Sequence, residues 1–600
     1  MKISDYIADF LVRKGVKDVF MITGGGAMHM NDSFGHHPEL RCTYNHNEQA
    51  TGMMAEAYGR LTNRPAAVCI TAGPGAVNAM AGVYGAYVDS IPMIVFSGQA
   101  KRETMVTASD VPLRQLGDQE AKTIDAVKSM TKFAYTITNP NEIRYQLEKA
   151  WFLANNGRKG PVWLDVPLDI QAATVYTDEL TGFDETNTKK IECPYYDKSY
   201  TDKILEKIHE ARRPVILAGE GIRQGDAYKE FLECTNSLKI PVVLAWNAND
   251  LLWEENTYFA GMPGTVGTRG GNFVVQNADL LIVLGCRMNL RIISYNKLQF
   301  AKDAYKIMVD IDKNELYKPT IKIDMPIHAD VKDVCRSLAN CVEEEVGNHS
   351  EWLAWCRNIN KRYPAVLPEY SKVSKPMNPY PFIRKVSEQL GDRDVITCGN
   401  GAACVQTFQA FHVKKGERIF TNSGSAAMGY GYPAAIGAAV ALKGERVVCF
   451  DGDGSFMMNV QELATAAYNK LNIKLFLLNN NGYHSIRQTQ TNLFHGRPYI
   501  GIDSTSGVGF PDFEKLADAF GVKYVRIDSL DDADEKITEV LKAEGPVFCE
   551  AIVDPKQNFE PKLSSKVMPD GTITSAECDD MSPFLPKEEY QAIKEEAQNI

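Results

Sequence analysis

Short apolar runs alternate with helical stretches along almost the whole chain, and that alternation is the signature of parallel α/β architecture. It divides the sequence into three modules. The first covers 1–170. Its runs 66–71 (AAVCIT) and 91–97 (IPMIVFS) are strand-like, and an Ala- and Gly-rich helical stretch, 75–88, lies between them. A polar, strand-poor linker occupies 171–199. The second module, 200–340, has strand candidates at 214–218, 240–245, 280–285 and 306–311. Its first turn reads Gly219-Glu220-Gly221-Ile222, which falls short of the GxGxxG of a dinucleotide site. A charged connector containing Trp and Pro runs over 341–378. The third module, 379–553, has strand candidates at 394–398, 446–450, 473–479 and 546–552. The expected fold is three doubly wound parallel-sheet α/β domains followed by a tail, 554–600. In that tail 561–566 and Pro569-Asp570-Gly571 look irregular, and 587–598 looks helical. The tail reads either as a surface appendage or as a lid over a site. The first and third modules share a Gly-rich turn, an Ala-rich helix and an apolar strand, a match too loose to establish duplication.

The chain's 600 residues give a prior of about three or four domains. Hydrophobic residues make up 44% and charged residues 24%, so a large core can be buried. A net charge of -11 argues against nucleic acid or an anionic membrane surface as the main partner. The 13 cysteines contain no CxxC pair, and several sit in apolar runs, as buried thiols of a reducing compartment do. The N-terminal MKISDYIADFLVRKGV has helical spacing and is no signal peptide. No run of 18 or more apolar residues suggests a membrane span. A cytoplasmic location is expected.

The most informative segment runs from the strand-like Val447-Val448-Cys449-Phe450 through Asp451-Gly452-Asp453-Gly454-Ser455 and a helix to Leu475-Phe476-Leu477-Leu478-Asn479-Asn480. This is a βαβ unit whose right-handed crossover makes both strands end at one sheet edge. Asp453 follows the first strand and Asn480 ends the second, so a carboxylate and an amide oxygen converge where open α/β sheets bind ligands. Both are hard oxygen ligands suited to Mg2+ or Ca2+. Gly452 and Gly454 let backbone N–H groups approach an anion, and the helix N-terminus at Ser455 adds its positive end. The bland alternative is a βα turn with Ser455 as helix cap. The Asn pair at this spacing favours a diphosphate cradle.

GDG followed by NN at this spacing resembles the motif of the thiamine-diphosphate enzyme family, and residues 1–553 are similar in order to its acetolactate synthase branch. The resemblance implies a pyrimidine-binding, a central and a diphosphate-binding domain. It implies Mg2+ held by Asp453, Asn480 and the Gly482 carbonyl, with thiamine diphosphate as cofactor. His46-Asn47-Glu48-Gln49-Ala50 resembles that branch's HEQGA, which gives Glu48 the catalytic carboxyl. Taken alone, Glu48 is a first-turn residue that compensates a helix dipole. In the family reading, a carboxyl hydrogen-bonded to the aminopyrimidine favours its imino tautomer, which can take the thiazolium proton. Ser423-Gly424-Ser425-Ala426-Ala427-Met428-Gly429 resembles the segment beneath the bent cofactor. Met428 would be the apolar wedge, though a buried Met is usually core, and the Ala426 carbonyl would receive the pyrimidine amine. Thr71-Ala72-Gly73-Pro74-Gly75-Ala76 resembles the turn beside the pyrimidine. Gly24 and Gly25 resemble the glycines facing the thiazolium, and Gln119 a residue at the substrate.

The sequence also departs from that branch. Asp118 stands for its Phe, Leu168 for Lys, Thr489 for Trp, and Ala402-Ala403 for a Gln-His pair at the diphosphate. Losing two aromatic walls should widen and polarise the acceptor side. The expected function is a carboligase that decarboxylates a 2-keto acid such as pyruvate and transfers the acyl unit to an aldehyde or ketone acceptor. Alternatives are simple decarboxylation, C–C hydrolysis of a cyclic dione, and a silent thiamine-binding protein. FAD stays optional: Arg287 matches the branch's flavin pattern, but Met288-Asn289-Leu290-Arg291 replaces the acidic pair that follows. Membership implies a homodimer or homotetramer with the site between chains.

Overall fold

The structure, a computed structural model, describes the chain apart from residues 187–193, 342, 495, 568–569 and 571. Part of the expected linker, and Pro569 and Gly571 of the expected tail turn, therefore lie outside the described residues. Three parallel sheets form the frame. The first holds β1 (Asp18–Met21), β2 (Arg41–Tyr44), β3 (Ala66–Ile70), β4 (Met93–Gln99), β5 (Phe133–Thr136) and β6 (Pro161–Pro167), in the order β2-β1-β3-β4-β6-β5. The central sheet holds β7 (Pro214–Ala218), β8 (Val242–Leu244), β9 (Leu280–Leu284), β10 (Tyr305–Asp310) and β11 (Met325–His328), ordered β11-β10-β9-β7-β8. The third holds β12 (Val395–Cys398), β13 (Arg418–Phe420), β14 (Val447–Gly452), β15 (Ile473–Asn479), β16 (Lys523–Ile527) and β17 (Val547–Ile552), ordered β13-β12-β14-β15-β17-β16. The first and third sheets thus repeat one strand permutation, which strengthens the loose likeness of their sequences.

Interior strands such as β3, β7 and β9 are buried throughout and read as continuous apolar runs, as parallel sheets covered on both faces do. Strands that the sequence pattern does not reveal are mostly edges or contain a charge. Edge strand β16, KYVRI, alternates between exposed and buried residues. Interior strand β6, PVWLDVP, carries Asp165, whose carboxylate is satisfied by Ser97 Oγ at 2.6 Å and Gln99 Nε2 at 3.0 Å.

One apolar core joins the first and third modules. There the helices Glu48–Thr62 and Gly431–Ala441 pack closely: a Cβ on Gly437 would lie 2.1 Å from the Met54 carbonyl oxygen. The tail is neither a free appendage nor only a lid. It leaves the third module beside the helix His484–Leu493, where Lys562 Nζ donates to Gln488 Oε1 at 3.1 Å. It then crosses to the central module, where Arg269 donates to the carbonyls of Met581 (3.1 Å) and Pro583 (2.6 Å). A short antiparallel pair, β18 (Ser565–Val567) and β19 (Ile573–Ser575), precedes the helix Lys587–Gln598, which buries Ile593 and Ala597 in the central core.

Candidate active site

Open α/β sheets bind ligands beyond the carboxyl ends of their strands, where the strand order reverses. In the third sheet that point lies between β12 and β14, and in the first between β1 and β3. The loops there are Gly399-Asn400-Gly401 and Gly452-Asp453-Gly454-Ser455 in the third module. In the first they are Gly24-Gly25-Gly26 and Thr71-Ala72-Gly73-Pro74.

Asp453 opens the helix Asp453–Phe456 and is buried. Its carboxylate accepts the N–H groups of Gly454 at 2.9 Å and Gly482 at 2.7 Å, and burial pushes its pKa up to about 7. Asn480, one residue past β15, is buried, and its Oδ1 has no hydrogen-bond partner. Such an orphan costs about 1–3 kcal/mol unless a ligand satisfies it. Gly482 sits at φ +127°, and its carbonyl accepts the His484 N–H at 3.0 Å. A Cβ on Gly452 would meet nothing within 4 Å, whereas one on Gly454 would strike the Tyr483 ring at 2.3 Å. A buried carboxylate, an unpartnered amide oxygen and open backbone fit a hard cation together with a diphosphate. Among the described residues no group of three His, Cys, Asp or Glu could hold a metal. A cation at Asp453 would complete its shell with phosphate oxygens and water, as Mg2+ commonly does.

Ser455, expected at the helix N-terminus with a cap as the bland alternative, lies inside the first turn. The helix begins two residues earlier, and the Ser455 hydroxyl accepts the Gly429 N–H at 3.0 Å. It therefore fixes the end of the segment that carries Met428, which is half-buried. Ala426 holds a left-handed φ of +51°, unusual for a residue with a side chain, and its carbonyl accepts the Asn400 side-chain amide. Asn400 was not singled out from the sequence. Its signal was present, in an Asn between two glycines directly after a strand.

Glu48 is the first residue of its helix, and the side chain of its cap, Asn47, accepts the Gln49 N–H at 2.8 Å. The half-buried Glu48 carboxylate accepts from Asn78 Nδ2 at 2.9 Å, another residue outside the sequence reading. Pro74 starts the helix Pro74–Val88 and is exposed. A Cβ on Gly25 would enter open space, while Gly24 presses on Thr71. Gln119 is exposed at φ +55°, with its carbonyl 2.2 Å from where a Cβ on Gly73 would sit. The first sheet's edge thus gathers Glu48, Gly25, Pro74 and Gln119. The third gathers Asp453, Asn480, Gly482, Gly452, Gly454, Ser455, Ala426 and Met428.

The profile of the N-terminal thiamine-pyrophosphate-binding domain of thiamine pyrophosphate enzymes matches residues 1–124. The central-domain profile matches 201–338, and that of the C-terminal thiamine-pyrophosphate-binding domain matches 399–551. Acetolactate synthase isozyme 1 large subunit of Escherichia coli is 31% identical over 566 residues, covering 93% of this chain and 95% of its own. The chain belongs to the thiamine pyrophosphate enzyme family. Other relatives are the acetolactate synthase large subunit of Cyanidium caldarium, 31% identical over 93% of this chain and 94% of its own length, and the probable acetolactate synthase large subunit of Methanocaldococcus jannaschii, 30% identical over 99% and 98%. This family member is accordingly a thiamine-pyrophosphate-dependent enzyme. No helix among its described residues is long and apolar enough to cross a membrane, and every described cysteine is a free thiol.

Beyond the ends of β7, β8, β9 and β10 a second crevice, of about 310 Å³, is lined by Asp89, Arg158, Glu220, Arg287 and Asp310 among others. Burial pushes the Glu220 carboxyl up, and its Oε2 has no hydrogen-bond partner.

Proposed function

We propose that this enzyme is a carboligase. It decarboxylates a 2-keto acid, with pyruvate as the candidate donor, and transfers the acyl unit to an aldehyde or ketone acceptor larger than pyruvate. The observation that carries the reading is the buried Asp453 carboxylate and the unpartnered Asn480 oxygen at the switch point of the third sheet. They would hold Mg2+ and the diphosphate, with the Gly482 carbonyl as third protein ligand. The open space over Gly452 would leave room for the phosphate oxygens, and Gly454, whose N–H is held by Asp453, would shape the loop around them.

Thiamine diphosphate supplies a carbon acid that becomes a nucleophile toward carbonyl compounds. Glu48 would hold the proton shared with the aminopyrimidine, and the Ala426 carbonyl would orient its amine. Met428 would keep the two rings apart from solvent and bent. Gly25, Pro74 and Gln119 would line the face where substrate enters. Asp118 and Thr489, both exposed, leave that entrance open and polar. The Thr489 hydroxyl turns back to the Ser485 carbonyl at 3.0 Å and so contributes no aromatic wall.

The complete site would lie between two copies of the chain. Val77, Tyr84 and Tyr87 form an exposed apolar stripe on the helix Pro74–Val88, which also carries Asn78, the partner of Glu48. A second copy covering that stripe would shield Glu48 and bring in its own diphosphate loop.

FAD does not fit the central crevice. In a doubly wound domain a dinucleotide's pyrophosphate lies at the turn after the first strand, and here that turn places Glu220 with an unpaired oxygen. Arg158 is already paired with Asp312 at 3.0 Å and with Glu315 at 2.8 Å, and Arg60 with Asp89 at 2.8 Å. The purified protein should therefore show no flavin absorbance.

Product analysis with pyruvate, thiamine diphosphate, Mg2+ and a panel of aldehyde and keto-sugar acceptors tests the proposal. A mixed carbon-carbon product supports it. Rapid acetolactate formation from pyruvate alone would refute the enlarged acceptor, and free aldehyde as sole product would make the enzyme a decarboxylase.

A further inference from the structure

The segment 422–430 carries both groups proposed to touch the reactive end of the cofactor, the Ala426 carbonyl and Met428. Its ends are anchored to the first module, hundreds of residues away in sequence. At one end the Gly424 N–H donates to Asp89 Oδ1 at 3.0 Å. At the other the Tyr430 hydroxyl donates to Glu56. One guanidinium bridges the two carboxylates: Arg60 Nη2 lies 2.8 Å from Asp89 Oδ2, and Arg60 Nε lies 3.1 Å from Glu56 Oε1. The side chains of Arg60, Glu56 and Asp89 are nearly inaccessible to solvent. A buried charge network of this kind is geometrically demanding, because removing one member leaves the others unpaired. Arg60 bonds through Nε and Nη2, while its Nη1 has no hydrogen-bond partner. Between its two anchor points lies Ala426, whose left-handed backbone needs surrounding structure to persist.

We propose that Asp89, Arg60 and Glu56 form a positioning clamp that sets the Ala426 carbonyl and Met428 against the reactive end of the cofactor. This inference rests on the thiamine reading above. The three residues touch neither cofactor nor substrate; they act through the segment. Glu56 and Arg60 belong to the same helix as Glu48; with the site between two copies, that helix would offer its first residue to one site and clamp the segment that serves the other. The diphosphate grip at Asp453 and Asn480 belongs to different loops, which meet the segment through Ser455, whose hydroxyl accepts the Gly429 N–H at 3.0 Å, a contact that substitution of Asp89 leaves in place. The clamp therefore governs turnover more than cofactor retention.

The test uses the full-length protein with thiamine diphosphate and Mg2+, and compares Asp89→Ala, Asp89→Asn and Tyr430→Phe with the wild type. Three quantities are read: the Kd for thiamine diphosphate, kcat for pyruvate consumption, and the near-ultraviolet circular dichroism of the bound cofactor. A misplacement of about 1 Å can cost about 100-fold in rate, so Asp89→Ala should lose turnover on that order, with a weakened dichroism band and a Kd close to wild type. Asp89→Asn keeps an acceptor for the Gly424 N–H and should restore part of the rate. Tyr430→Phe removes one hydroxyl and should lower kcat several-fold at unchanged Kd. Wild-type kcat in folded Asp89→Ala overturns the clamp, as do losses of Kd and kcat in equal proportion. Should Asp89→Ala fail to fold, Tyr430→Phe decides alone, and an unchanged kcat there refutes the proposal. A wild-type protein that binds no thiamine diphosphate refutes the thiamine reading itself, a result separable from any failure of the clamp.

Discussion

Glu48 owes its proposed role to where its helix begins. Asn47 caps that helix, which fixes the Glu48 side chain at the rim of the first sheet's crevice beside Asn78. A positioned general acid or base contributes about 100- to 10,000-fold to a rate, so Glu48→Gln should lower kcat for pyruvate consumption by at least about 100-fold. Binding of thiamine diphosphate, measured by titration, should hardly change, because in the proposed site Asp453 and Asn480 would hold its other end. A second residue-scale expectation concerns Asp165 in β6. A free Asp ionises near 3.9, but burial pushes Asp165 up to about 7. Between those values the folded chain keeps a proton that the unfolded chain has lost, so the contribution of Asp165 to stability falls as pH rises through that window. Asp165→Asn carries no titrating group there. The melting temperature of the variant relative to wild type should climb from pH 4 to pH 7, and a flat difference would show that Asp165 does not titrate in this range.

Helices and strands set the distances that these residues need. The contact between the helices Glu48–Thr62 and Gly431–Ala441 aligns the first module with the third, and it depends on the missing side chain of Gly437. Gly437→Ala would drive a methyl group into the Met54 backbone. Overpacking of this kind costs about 1–3 kcal/mol, and denaturant unfolding should show a lower midpoint. The same scale shows which elements could be read in advance. Interior strands announce themselves through unbroken apolar runs, as in β3 and β9. Edge strands β5 and β11 are half-exposed and look like loops in sequence. Strand β6 is interrupted by an aspartate whose partners lie on β4 and at its end, contacts that no local pattern contains.

At the scale of the molecule, cation and cofactor should bind as a pair. No described cluster of acidic or thiol ligands can hold a metal by itself. Mg2+ affinity should therefore rise when thiamine diphosphate is present, and the cofactor's affinity should rise by the same factor when Mg2+ is present. Calorimetric titration of each with and without the other checks this, and independent binding would contradict the proposed ligand set. Chelation followed by dialysis should abolish turnover, and Mg2+ with thiamine diphosphate should restore it. The stripe of Val77, Tyr84 and Tyr87 makes a further expectation. Tyr84→Asp should shift the protein toward monomer in sedimentation and lower its specific activity in parallel, since the complete site would need two copies.

By itself the sequence determined the parallel α/β class with its three sheets and the family, and it singled out the residues proposed for the diphosphate loop. All of these rest on short-range information. A βαβ unit fixes the separation of Asp453 and Asn480 within one crossover, and a capped helix start fixes Glu48. Tertiary structure alone decided how distant segments meet. It set the identical strand order of the first and third sheets and the docking of the tail on the central module. It gave the Ser455 hydroxyl to Gly429, and it tied Asp89 to Gly424 and Glu56 to Tyr430 across 335 and 374 residues of chain. The physical reason is that a buried polar group takes whichever partner the packed core brings near, and that partner is chosen by the sum of the packing rather than by its neighbours in sequence.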